Sequence, residues 1–177
     1  MARVANGSER QGTRSLSLAR LDNAIPAGDR LLLDTSSLAA YFGAEPTSSA
    51  AAAVIDGFVR SGRNPAVVSA ITAVELLVRP LRSGSGSIER SILEFLRTFP
   101  NLEIVTVDLT VAYVAAGLRA REGMKVPDAL IAASGFDRSA SIAISDDAGW
   151  PDVLVHGTAT IRVVALRSFL DSLASRD

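Results

Sequence analysis

The sequence predicts an α/β fold, with a central, mainly parallel sheet of about five strands flanked by helices. Two observations predict it. Short apolar runs, typical of strands buried on both faces, alternate along the chain with longer segments of helical period. The 177 residues are 48% apolar with a formal net charge of −1, so the chain can bury a full core without disulfides. This composition excludes disorder of the whole chain, and no apolar stretch approaches the ~20 residues of a membrane span.

The first half of the chain alternates strand, helix and strand. The apolar run over residues 31–33 predicts a buried strand. Residues 36–42 and 47–60 carry apolar side chains at helical spacing, the first as a short helical turn and the second as a longer helix. Asn64 and Pro65 interrupt this pattern, and residues 66–69 follow as the second strand.

The second half repeats the alternation. Two helices are joined by a flexible Ser-Gly link over residues 83–87 and precede a third strand rich in β-branched residues. The same rules predict helices over 71–81, 88–99, 109–122, 127–134 and 166–174, and strands over 102–107, 142–144 and 161–164.

The first 29 residues have a different character. They are small and polar, lack a sustained apolar period, and end in the Pro26-Ala27-Gly28 break. We expect a disordered arm over 1–29, of which residues 1–28 are dispensable for folding, followed by one domain over 30–177. The arm lacks the apolar segment of a signal peptide, so we expect a cytoplasmic protein.

The residue types restrict the chemistry. The chain has no cysteine and one histidine, which excludes thiolate zinc sites, iron–sulfur clusters and cysteine nucleophiles, and argues against a Ser-His-Asp triad. His156, which precedes Gly157, is predicted to lie in a surface loop. Trp150 is interpreted as a packing residue, with stacking on a nucleic-acid base as the alternative. Any chemistry must therefore be carried out by carboxylates, hydroxyls and arginines.

Four segments carry acids where parallel strands would bring them together. Asp34 follows the first strand, and Asp146 and Asp147 follow the strand over 142–144 in the same way. Glu75 lies about one turn into the helix after the second strand, and Asp128 lies in the first turn of a helix that Pro127 begins. Because ligands bind at the carboxyl ends of parallel strands, these acids are candidates to hold Mg²⁺ or Mn²⁺.

Each acid also has a purely structural interpretation. Asp34 could cap the following helical turn, Glu75 could lie on a solvated helix face, and Asp128 could offset the helix dipole. Asp146 and Asp147 could be turn residues. Asp108 precedes a helix in the manner of an N-cap and is assigned that role.

Several motifs resemble those of one known family. Leu32-Leu33-Asp34-Thr35-Ser36, Val74-Glu75-Leu76, Val126-Pro127-Asp128-Ala129-Leu130-Ile131-Ala132 and Ile144-Ser145-Asp146-Asp147 resemble PIN-domain ribonucleases, and most closely the VapC toxins of type II toxin–antitoxin pairs. The resemblance covers about residues 31–170. It implies a PIN-like three-layer fold with the sheet between two helical layers.

The resemblance also implies roles for single residues. Asp34, Glu75 and Asp128 match the three main acids of the family. Asp147 matches the fourth, with Ser145 as the hydroxyl residue two positions before it, and Ser36 matches a residue that supports the first acid. Many members of the family carry an Asp-Phe or similar pair where this sequence has Gly149-Trp150. The choice between Asp146 and Asp147 as the fourth acid therefore stays open.

The activity so implied is Mg²⁺-dependent endoribonuclease action, with Mn²⁺ as an alternative ion. The implied partners are RNA, a VapB-like antitoxin and a second copy of the chain. Arg79, Arg82 and Lys125 are candidate RNA contacts. The alternatives are a catalytically silent PIN-like module that binds RNA or protein, and a haloacid-dehalogenase-type phosphatase. The phosphatase would need an acid at the position of Ser36.

Overall fold

The computed structural model describes residues 20–43 and 46–169. Its strands are β1 Leu31–Leu33, β2 Ala66–Ser69, β3 Leu102–Val105, β4 Ile142–Ile144, β5 Val153–His156 and β6 Ala159–Val164. Its helices are α1 Thr35–Phe42, α2 Ser48–Ala52, α3 Ala70–Ser83, α4 Gly86–Thr98, α5 Leu109–Glu122 and α6 Val126–Asp137. A π-helical segment, Ala53–Val59, continues α2, and a 3₁₀ turn, Leu166–Phe169, follows β6.

The strands form one sheet in the order β3-β2-β1-β4-β6-β5, in which only β5 runs antiparallel to its neighbour. The predicted α/β fold with a mainly parallel sheet is therefore confirmed. The described residues contain six strands where about five were expected. The additional strand, β5, pairs with β6 through the tight turn at Gly157 and Thr158.

The sheet is buried on both faces. Alternate residues of the central strands belong to two separate cores: Leu31 and Leu33 face one and Leu32 faces the other. The first core is covered by α1 to α4, and the second by α5 and α6. This gives three layers and explains why the central strands are apolar throughout.

Helix α6 lies unusually close to the sheet. A Cβ added at Gly135 would come within 2.8 Å of Leu32 Cδ2 and 3.1 Å of Ile161 Cδ1. Glycine therefore lets α6, which carries Asp128 in its first turn, approach β1 closely.

Several predicted bounds were wrong at their ends. The third strand stops at Val105, the link between α3 and α4 is reduced to Gly84 and Ser85, and α6 continues to Asp137. Residues 53–59 are π-helical where an α-helix was expected. The predicted final helix is seen as a 3₁₀ turn up to Phe169, and its remaining residues lie outside the described part of the chain.

The N-terminal boundary also differs from the expectation. Residues 20–24 are helical, and Leu21 and Ile25 are 2% and 0% exposed within the first core. The buried Asn64 side chain donates hydrogen bonds to the carbonyls of Pro26 and Asp29, at 2.7 and 2.8 Å. The folded body thus begins before residue 30. The part of the predicted arm over residues 1–19 lies outside the described residues.

His156 and Trp150 occupy structured positions. His156 is the last residue of β5, half-buried, with its ring 5.7 Å from that of Phe136. The prediction of a surface loop there was wrong, because the β5–β6 hairpin was not recognised. Trp150 is buried in the second core, in agreement with a packing role. Within residues 20–43 and 46–169, none of the helices combines the length and the apolar character that crossing a membrane requires.

Candidate active site

An open cleft of about 470 Å³ lies at the carboxyl ends of the central strands. It is the place where the topology predicts a ligand site in a parallel sheet. The residue after β1, the helices α1, α3 and α6, and the loop after β4 supply the side chains that line it: Asp34, Thr35, Ser36, Glu75, Val78, Asp128 and Asp147. The structure thus brings the four predicted acids to one surface.

Asp34 is the most buried of these acids, at 4% exposure. Its backbone N–H donates to the carbonyl of Ile144 at 3.1 Å, which joins the ends of β1 and β4. Two hydroxyls donate to the same carboxylate oxygen, Oδ2: Ser36 at 2.9 Å and Ser145 at 2.7 Å. These bonds fix the orientation of the carboxylate, and neither occupies its other oxygen.

The same two serines hold the loop that follows β4. Ser36 Oγ accepts from the backbone N–H of Asp146 at 2.8 Å, and Ser145 Oγ accepts from that of Asp147 at 3.2 Å. The Asp147 carboxylate accepts from the N–H of Gly149 at 2.8 Å. Each hydroxyl thus links Asp34 to the neighbouring loop, with its proton directed to Asp34.

The side chains of Asp146 and Asp147 have different surroundings. Asp147 lines the cleft. Asp146 does not belong to the cleft lining, and its Oδ1 accepts from the backbone N–H of Arg167 at 2.9 Å. The geometry therefore favours Asp147 over Asp146 as the fourth acid of the cleft.

Glu75 reaches the cleft from the second turn of α3. Ser69 begins this helix as its N-cap, accepting from the N–H of Ile71. The Glu75 side chain is exposed, and its Oε2 accepts a hydrogen bond from the Thr35 hydroxyl. This contact ties α3 to the start of α1, directly after Asp34.

The pKa of Asp128 reflects the electrostatics of the cleft. Burial raises the pKa of its carboxyl, and the negative charges of Asp147, Asp34 and Glu75 raise it further, against an opposing effect of Lys125. The other three acids are thus close enough to Asp128 to disfavour its ionised form, as expected of like charges in one site.

These acids and their supporting serines fall within a stretch that matches a known family. The family model for the PIN domain matches residues 31–153. The chain belongs to the PIN domain family. PIN domains are generally nucleases that typically use a divalent metal. None of the curated proteins matches this chain.

Three solved structures share the PIN-like fold. A toxin–antitoxin complex from Klebsiella pneumoniae is 22% identical, with a TM-score of 0.53 over 71% of this chain and 96% of that chain. VapBC2 from Rickettsia felis, bound to a promoter DNA fragment, is 14% identical, with a TM-score of 0.57 over 77% and 98%. FitAcB from Neisseria gonorrhoeae is 23% identical, with a TM-score of 0.54 over 67% and 88%.

The donor chemistry of this PIN domain fits a hard divalent cation, because the cleft offers carboxylate and hydroxyl oxygens and no sulfur or imidazole. No group of three acidic or histidine side chains among residues 20–43 and 46–169 already stands at ligand spacing. Three of the acids, Asp34, Glu75 and Asp147, have an oxygen engaged by a neighbouring donor. The cleft thus has the right donors without a preformed cage.

The predicted basic contacts lie outside the cleft lining. Arg79 and Arg82 are exposed on α3, and Lys125 is exposed at the start of α6. Lys125 is near enough to lower the pKa of Asp128. Arg121 donates to the carbonyl of Val155 at 3.3 Å.

Three residues with a part in the site were not singled out from the sequence. Thr35 and Val78 line the cleft. Thr35 directly follows Asp34, and Val78 lies three residues after Glu75 on the same helix face, so these spacings could have indicated both residues. Arg167 holds Asp146 from beyond β6. No local pattern could indicate a contact between residues so distant in the sequence.

Proposed function

We propose that this PIN domain is a divalent-metal-dependent endoribonuclease and the toxin of a type II toxin–antitoxin pair. One observation carries the enzymatic part: acids from four separate segments line one cleft, and burial together with the charges of the other three raises the pKa of Asp128. Keeping such charges close is unfavourable unless a cation compensates them.

Each residue has a defined part in this proposal. Asp34, Glu75 and Asp128 hold the ion, and Asp147 completes the set or orients the attacking water. Ser36 and Ser145 fix the Asp34 carboxylate. An Mg²⁺ or Mn²⁺ ion held by these residues would supply a Lewis acid for the attacking water and positive charge next to the scissile phosphate. The exposed Arg79, Arg82 and Lys125 are available to the flanking phosphates of the RNA.

The partners follow from the neighbours and from the surface. Toxin–antitoxin complexes of the same fold support a VapB-like antitoxin as the cognate inhibitor. Val74, Leu81, Leu109 and Tyr113 are large apolar side chains more than half exposed, and a partner chain, whether the antitoxin or a second copy in a homodimer, would bury such side chains. The proposed location is the cytoplasm, where the protein would meet an RNA substrate and its antitoxin.

The phosphatase alternative is disfavoured by the site itself. Its chemistry requires an acid two residues after the nucleophile, and Ser36 stands there with its hydroxyl bonded to Asp34. A catalytically silent module would keep the fold but would not cleave RNA, so the experiment below separates it from the proposed enzyme.

The test is RNA cleavage by the parent, Asp128→Asn and Asp108→Asn, each with Mg²⁺ and with EDTA. We expect the parent to cleave with Mg²⁺ only and Asp128→Asn to lose at least about 100-fold in rate, a loss comparable to that on removing one preorganised electrostatic group from an active site. Asp108 is the matched control: it caps α5 through the N–H of Val111 at 2.9 Å, and asparagine caps nearly as well. Cleavage by Asp128→Asn at the parental rate, or cleavage by the parent in EDTA, would refute the proposal.

A further inference from the structure

Arg167 holds Asp146 at two points. Its backbone N–H donates to Asp146 Oδ1 at 2.9 Å, and its guanidinium Nη1 donates to the Asp146 carbonyl at 2.7 Å. Arg167 belongs to the 3₁₀ turn after β6, and it lies outside the residues that match the PIN family model. The contact therefore ties the loop after β4 to the C-terminal part of the described chain.

The loop so held carries Asp147. On its inner side, the N–H of Asp146 donates to Ser36 and that of Asp147 donates to Ser145. On its outer side, Arg167 binds both the side chain and the carbonyl of Asp146. Asp146 is thus fixed from both sides. The adjacent Asp147 faces the cleft.

We infer that Arg167 is a positioning residue for the proposed reaction, acting through Asp146 to hold Asp147 in the cleft. In this arrangement the Asp146 carboxylate anchors the loop, and Asp147 serves as the fourth acid. The inference rests on the proposed function, because it assigns a task to Asp147 in that chemistry. An exposed hydrogen bond of this kind contributes little to stability, whereas a displacement of a catalytic group by about 1 Å lowers a rate by as much as 100-fold.

The test compares Arg167→Ala with Arg162→Ala as a matched control. Arg162 is also exposed, and its guanidinium likewise donates to a backbone carbonyl, that of Ala24 at 2.5 Å, on a segment that carries no part of the cleft. The measurements are kcat and KM for RNA cleavage, and the Mn²⁺ concentration that gives half of the metal-induced rise in melting temperature.

We expect Arg167→Ala to lower kcat about tenfold or more, to leave KM for RNA within about twofold, and to raise the Mn²⁺ midpoint. Arg167→Lys should recover part of the loss, because an ammonium can donate to the same carbonyl. Arg162→Ala should keep the parental kcat and Mn²⁺ midpoint. A kcat and a midpoint for Arg167→Ala equal to those of the parent would overturn the inference.

Variants of the two adjacent acids give a second test. Asp146→Asn keeps an oxygen to accept from the Arg167 N–H, so its Mn²⁺ midpoint should stay far closer to the parent's than that of Asp147→Asn. If Asp146→Asn loses the Mn²⁺ response as completely as Asp147→Asn, then Asp146 is itself a ligand and the inference is wrong. A parent protein with neither Mn²⁺ response nor cleavage would overturn the proposed function, and this inference with it.

Discussion

The Asp34 carboxylate shows how single residues make an acidic site compatible with folding. At 4% exposure it has lost almost all contact with water, and a polar group so placed requires hydrogen-bond partners. Ser36 and Ser145 supply them, and both hydroxyls also accept a backbone N–H from the loop after β4. The two serines therefore provide hydrogen-bond partners both for the Asp34 carboxylate and for the backbone of the loop after β4.

Asp128 has no comparable compensation, and this predicts a pH dependence of stability. Its pKa is raised in the folded protein, chiefly by burial and then by the neighbouring acids. A carboxyl whose pKa is higher in the folded than in the unfolded state binds more protons in the folded state. The free energy of unfolding therefore falls as the pH rises from the unfolded pKa, about 4, through the folded one.

Asp128→Asn removes this titration, so the metal-free variant should gain stability relative to the parent as the pH increases from about 4. Urea unfolding of both proteins in EDTA, between pH 4 and pH 7, measures the difference. We expect the difference to be smallest at pH 4 and to level off above the raised pKa. A difference that stays constant over the range would contradict the electrostatic interpretation.

At the scale of elements, the segment over residues 20–29 is an integral part of the fold. Leu21 and Ile25 contribute fully buried side chains to the first core, and Arg63 binds the Ile25 carbonyl at 2.8 Å. Leu21→Ala should therefore lower the free energy of unfolding by about 2–5 kcal/mol, as truncation of a buried leucine does.

The control for Leu21→Ala is Asn23→Ala in the same helical turn, because Asn23 is exposed. It should change the free energy of unfolding by no more than about 0.5 kcal/mol. Urea unfolding monitored by circular dichroism measures both variants. Equal stability of Leu21→Ala and the parent would mean that the segment only rests on the domain.

The elements that were predicted well are determined by their local sequence pattern, whereas those predicted poorly depend on contacts with other segments. Strands β1, β2 and β4 are continuous apolar runs, and their bounds could be predicted because burial on both faces determines every position. Strand β5 alternates exposed and buried residues and is fixed by its hairpin with β6, so its short pattern was insufficient. Residues 20–29 show only two large apolar side chains, Leu21 and Ile25, and the segment is held by a distant residue, Asn64.

At the scale of the whole molecule, the strand order explains why the candidate acids could be predicted as a set. Strands β2, β1 and β4 are parallel neighbours, so residues after each strand meet at one edge. The finer contacts could not be predicted. The Thr35–Glu75 hydrogen bond and the hold of Arg167 on Asp146 depend on side-chain positions that only the assembled layers define.

The assembled cleft predicts that a divalent cation stabilises the whole protein. A ligand that binds only the folded state, present at 100 times its dissociation constant, adds about 2.7 kcal/mol to the free energy of unfolding. For a domain of this size that corresponds to a rise in melting temperature of roughly 5–10 °C. Thermal melts with Mn²⁺, with Mg²⁺ and with EDTA measure the rise. Asp128→Asn should show a much smaller rise because a ligand is lost, whereas Asp108→Asn should match the parent. An equal rise in Asp128→Asn and the parent would mean that the ion binds elsewhere, and no rise in the parent would mean that the four acids hold no cation.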